Sequence, residues 1–239
     1  MPDRRKHRGP HPQDARLFAI EQLPRLREAF RDLVYLLSRG YASTSALKLV
    51  GDRYQLHRRQ RMALMRSACS DEALAHRLAT RIPLEELPHA TLLIDGYNVL
   101  ITVESALSGG WLFRGREGCL RDLSSVHGSY RKVEETLPAL ELIGTWLERH
   151  HLHSIHWLLD APVSNSGRLR KLMLSCSEAH GWSWTVELAQ QVDHRLVHEQ
   201  DAIVVTTDGP VLNRVSHWTD ITAPLLEPLV EAQIIDFTC

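Results

Sequence analysis

From about Asp14 to Ala79 apolar residues recur at three- and four-residue steps, the period of helices with one buried stripe. Leu26, Phe30, Leu33, Val34 and Leu37 make the clearest stripe, and Gly40 supplies a C-terminal stop. Ser43 and Thr44 can cap a short helix containing Ala46, Leu47 and Val50, which Gly51 closes. A third helix follows Tyr54-Gln55-Leu56, with Met62, Leu64 and Met65 on one side and Arg58, Arg59 and Arg61 at its start. A short helix, a turn and a basic helix make a helix-turn-helix-like order, in which those three arginines are the candidate nucleic-acid contacts. A plain helical bundle with a solvated arginine face fits the same pattern.

The pattern changes after Pro83 and Pro88. Ala90–Ile94, Ile155–Leu159 and Ala202–Val205 are short, continuous apolar runs, and Trp182–Leu188 has strand composition. Helical stretches at Val133–His150 and Gly167–His180 lie between them. Continuous apolar runs are strands buried on both faces, and their alternation with helices predicts a parallel sheet between helical layers. The expected division is a basic flexible tail over 1–13, a small all-α helical domain over 14–82, a linker over 83–89 and an α/β domain over 90–239, Rossmann-like and three-layered.

Charge sharpens the division. Residues 1–90 hold 17 Lys/Arg against 10 Asp/Glu, a balance of +7, while the rest holds 11 against 19, a balance of −8. A basic front suits a polyanionic partner, and acids gathered behind it could hold a cation. Cys69, Cys119, Cys176 and Cys239 are scattered without zinc-ligand spacing, so they read as reduced thiols. No apolar run approaches the roughly 20 residues of a membrane span, and the N-terminus lacks a secretory apolar segment. The expected location is cytoplasmic, with no membrane partner.

Three of the strands end in an acid: Asp95, Asp160 and Asp208. One such acid is commonly a turn or helix cap. Three together, at the strand ends where open α/β sheets bind ligands, point to a divalent cation, Mg²⁺ or Mn²⁺, relieving like-charge repulsion.

Leu93-Ile94-Asp95-Gly96-Tyr97-Asn98-Val99-Leu100 resembles the first-strand motif of the NYN-type members of the PIN nuclease superfamily. Val205-Thr206-Thr207-Asp208 resembles their later strand, and Val192-Asp193-His194-Arg195-Leu196 the helix that carries a third acid. The likeness covers about residues 90–222. The whole chain also resembles an uncharacterised prokaryotic family in which a helical domain of unknown function precedes a PIN-like domain. The resemblance implies a PIN-like fold and a metal-dependent phosphodiesterase acting on nucleic acid, usually RNA. Asp95, Asp193 and Asp208 would bind metal with Asp160 beside them, Asn98 would be a polar contact, and Thr206 or Thr207 would orient ligands. The family's further helical acid would be Glu135 or Glu134, with Glu104 as the alternative.

The segment Ser108–Tyr130 is longer than a minimal PIN domain needs, and its glycines, arginines and His127 suit a substrate-facing loop or a surface excursion. After Asp160, Ser164 and Ser166 begin a helix near Arg168, Arg170 and Lys171, which reads as a phosphate-binding N-terminus or an ordinary capped loop. Arg131 is a further candidate phosphate contact. His150, His151, His153 and His156 read as surface or helix-end residues. A haloacid-dehalogenase phosphatase is excluded because it needs an acid at position 97, where Tyr97 stands. A nucleotide-binding Rossmann protein would carry a Gly-rich loop that is absent here. The main rival to a nuclease is a catalytically inactive PIN-like module that binds nucleic acid or protein. A homo-oligomer is also compatible with the sequence.

Overall fold

A computed structural model describes residues 6–124, 128–230 and 233–239. The first helices are α1 (Asp14–Leu17), α2 (Leu23–Ser38), α3 (Ser43–Arg53), α4 (Arg58–Ser67) and α5 (Asp71–Ala79). The apolar stripe of α2 is its buried face: Leu26, Phe30 and Leu33 pack with Ala46 and Val50 of α3 and Ala63 and Leu64 of α4. Each fully buried Leu or Phe of this kind contributes about 1.5–3 kcal/mol through removal of apolar surface from water. Gly51 does not end α3, which runs on to Arg53. The Arg61 guanidinium lies across this position, and a Cβ there would sit 2.3 Å from it.

The described part of the segment after residue 107 is largely buried and not a surface excursion. It contributes β2 (Leu112–Arg114) and β3 (Leu120–Arg121), which pair with each other antiparallel, and β2 pairs parallel with β8 (Ile234–Ile235). Phe113, Leu123, Ile235 and Phe237 enter the same apolar cluster as the first helices. Phe113 stands edge-on to Phe18, with ring centroids 4.8 Å apart. This small sheet joins the helices to the rest of the molecule.

The main sheet has five parallel strands, β1 (Thr91–Asp95), β4 (Ser154–Asp160), β5 (Trp184–Ala189), β6 (Ile203–Val205) and β7 (Trp218–Thr219), in the order β5-β4-β1-β6-β7. Strand alternation explains its three layers. Leu92 and Ile94 of β1, Trp157 and Leu159 of β4 and Val205 of β6 face one side, where they meet α6 (Gly96–Leu107), α7 (Thr136–Glu148), α8 (Ser166–His180) and α11 (Thr222–Val230). Leu93, Leu158 and Val204 face the other, where they meet α9 (Val192–Val197) and α10 (Gly209–Leu212). The fold is therefore an α/β parallel sheet flanked by helices and preceded by an all-helical region.

The stretch between helices and sheet is anchored at both ends. Leu87 is fully buried in the main core, and the residues after α5 run beside β7, Trp218 donating to Thr80 O and Ile82 to Trp218 O. Among the described residues no helix is long and apolar enough to cross a membrane. All four cysteines are free, three of them buried.

Candidate functional site

The strand order reverses at β1: the chain proceeds outward through β4 and β5, then returns to place β6 on the other side of β1. Such a reversal opens a crevice at the carboxyl ends of the two diverging strands, the usual ligand position in open α/β sheets. Asp95 closes β1 there, and Thr206-Thr207-Asp208 follow β6. Gly96 is required by close approach, because a Cβ would lie 2.6 Å from a Leu159 methyl and 2.7 Å from Leu158 O. The first turn of α6 can therefore press against β4, which brings Asn98 back over the strand end.

A short hydrogen-bond lattice fixes the two acidic loops. Thr206 Oγ1 donates to Asp95 Oδ2 at 2.8 Å and accepts the Asp208 amide at 3.1 Å. Asn98 Oδ1 accepts both the amide and the hydroxyl of Thr207, at 2.8 and 3.0 Å. Each acid also caps a helix: Asp95 accepts the Asn98 amide at 3.4 Å at the start of α6, and Asp208 accepts the Val211 amide at 3.2 Å at the start of α10. The capping reading of these acids holds alongside their position at the crevice.

Electrostatics sets Asp95 apart. It is 6% exposed, and burial pushes its carboxyl up to about 7, with the charges of Asp208 and then Asp193 adding and the bonds from Thr206 and Asn98 opposing. Asp193 lies on the exposed side of α9, yet partial desolvation and then the Asp208 charge raise its carboxyl too. Asp160 is raised by desolvation first and by Asp193 second. These four carboxylates thus form one electrostatically linked group at one end of the sheet.

Their chemistry fits a hard cation that keeps most of its water and takes one or two carboxylates, the habit of Mg²⁺. Among the described residues, no three His, Cys, Asp or Glu side chains converge as a ready-made chelate. Asp95 and Asp208 are the residues that would hold such an ion.

The remaining expected residues fall elsewhere. Glu135 stands at the N-cap of α7 and bonds His7 Nδ1 at 2.6 Å, with Glu134 3.7 Å from the same ring. Glu104 is fully buried and held by Arg8, Tyr130 and Thr136. The N-terminal arm takes all three, His7 facing Glu134 and Glu135 and Arg8 pairing with Glu104.

Ser164 and Ser166 do not cap α8. Asn165 occupies that position in a left-handed conformation and turns its amide to Tyr130 O at 3.0 Å. Ser164 pairs through its backbone with residues 128–130, and Ser166 is buried. Arg168 is exposed, while Arg170 donates to Val186 O at 2.8 Å. His127 lies outside the described residues. Of the three basic-helix arginines only Arg58 is exposed: Arg59 is paired with Asp14 at 2.5 Å and Arg61 with Asp52 at 2.9 Å, because α1 and α3 carry acids beside them.

Two further residues were given no role by the sequence. Arg121 is buried and donates to Thr207 O at 2.6 Å, which braces the loop before Asp208, but it comes from a strand too short to show periodicity. Tyr97 is buried, and its hydroxyl has no partner among the described residues. Both line a cavity of about 660 Å³ between the helices and the sheet, together with Asn98, Thr207 and Asp208.

No solved structure matches this chain. Over 206 residues it is 28% identical to an uncharacterised protein of Methanocaldococcus jannaschii, which spans 85% of this chain and 98% of that one. Residues 25–79 match a family described as a protein of unknown function (DUF434). Residues 84–224, more than half of the chain, match the family described as a domain of unknown function (DUF5616), and the chain belongs to that family.

Proposed function

We propose that this protein is a metal-dependent nuclease that hydrolyses phosphodiester bonds, with RNA as the favoured substrate. The observation that carries the reading is the meeting of the Asp95 and Asp208 loops, tied through Thr206, at the switch point of a parallel sheet, with Asp95 buried. Neighbouring carboxylates that raise one another's proton affinity in such a place favour added positive charge. The likeness of the Asp95, Asp193 and Asp208 segments to NYN-type PIN nucleases gives that charge a chemical purpose.

A bound Mg²⁺ or Mn²⁺ would polarise a phosphoryl oxygen and lower the pKa of water. In the hydrolysis, a water oxygen forms a new bond to phosphorus, the P–O ester bond breaks, and the departing oxygen leaves as a hydroxyl. Asp95 and Asp208 supply negative charge and orientation. Thr206 fixes the Asp95 carboxylate, and the Asn98–Thr207 bonds hold the two strand ends in register. The cavity beside them has room for part of a nucleotide chain.

The test is cleavage of end-labelled RNA by the purified protein with Mg²⁺, Mn²⁺ or chelator. Activity should require metal and disappear in Asp95→Asn and Asp208→Asn. Binding without cutting, with wild type and both variants indistinguishable across metals, would favour a catalytically inactive binding module.

A further inference from the structure

A second concave surface lies against the helical region, and its wall chemistry differs from that of the acidic end. Four segments build it: the arm over residues 7–13, the start of α4, Leu123 with Ser124, and Arg131 with Val133. The groove has a volume of about 500 Å³, and among the described residues no Asp or Glu lines it. Arg8 and Arg59 belong to its walls but are neutralised by Glu104 and Asp14. Arg58 and Arg131 are exposed and take no acid partner among the described residues. His11 and His57 each accept a backbone amide at Nδ1, at 3.3 Å, which leaves Nε2–H as the donor of each ring.

A groove with two free guanidiniums and two imidazole donors suits the oxygens of successive phosphates. It also leads somewhere. Ser124 lines this groove and equally lines the 660 Å³ cavity that holds Asn98, Thr207 and Asp208. We infer that the groove carries the sugar–phosphate backbone of a nucleic-acid strand past Ser124 toward the Asp95–Asp208 end. The identity of the ligand rests on the nuclease reading; the existence of a polyanion site rests on the groove itself. The Arg8–Glu104 pair then acts as an anchor that holds one wall in place.

The test is anisotropy of a fluorescent single-stranded RNA oligonucleotide, titrated in chelator over a series of salt concentrations. Each lost phosphate contact should flatten the plot of log affinity against log salt by about 0.7, so Arg58→Glu with Arg131→Glu should flatten it by about 1.4. Both side chains are exposed, so thermal unfolding should stay unchanged, and Arg58→Gln with Arg131→Gln provides a milder pair. An unaltered slope in both double variants overturns the proposal, as does binding of anionic phospholipid vesicles in place of RNA. A flattened slope in a protein that never cuts RNA supports the groove while removing the nuclease reading.

Discussion

Thr206 and Asp95, 111 residues apart, meet through a 2.8 Å hydrogen bond in the buried crevice between β1 and β6. The same hydroxyl accepts the Asp208 amide, so one side chain ties both acidic loops. Thr206→Val keeps the shape but strands a carboxylate oxygen and an amide. Unsatisfied buried groups cost about 1–3 kcal/mol each, so chemical denaturation should show a loss in that range, with Thr206→Ser close to wild type. Equal stability of the Val and Ser variants would show that the bond contributes nothing.

The Asp95 carboxyl makes stability depend on pH. Burial pushes it up to about 7 in the fold, whereas in the unfolded chain an aspartate titrates near 3.9. Between those values the native state keeps a proton that the unfolded state has released, so stability falls as pH rises through the window. From about pH 5.5 to 7 the loss should approach ~2 kcal/mol in chelator, and Asp95→Asn should remove it. Asp160 and Asp193 are shifted in the same direction and leave a smaller residual slope. Urea unfolding at several pH values checks this; identical slopes in wild type and variant would contradict it.

Much of the sheet was legible because buried parallel strands are written as continuous apolar runs. Asp95, Asp160 and Asp208 were readable as strand-end acids for the same reason. The small sheet was not legible: β2, β3 and β8 are two or three residues long, and β8 comes from the far end of the chain. Arg121 was hidden with it. Glu135 was expected at the acidic end because sequence order puts it on the helix leading into the next strand; its bond to His7, from the arm, had no sequence signal. Arg59 and Arg61 looked like a free basic face because nothing local reveals that Asp14 and Asp52 fold against them.

The arm itself can be tested through Arg8. Glu104 has no exposed surface, and Arg8 is its charged partner, with Tyr130 and Thr136 donating as well. Removing one member of a buried pair costs about 3–5 kcal/mol when no water replaces it. Arg8→Met should lower the unfolding midpoint, and Glu104→Gln should restore part of that loss in the double variant. A double-mutant cycle measures the coupling; simple additivity would mean that the arm does not seat Arg8 on Glu104.

The most direct measurement is the anomalous difference map of a crystal soaked in Mn²⁺. The account predicts a peak beside the Asp95 and Asp208 carboxylates, lost in Asp95→Asn crystals treated alike. Soaked wild-type crystals with no peak at this end of the sheet, or an undiminished peak in the variant, would contradict the assignment of these carboxylates to a metal-dependent nuclease.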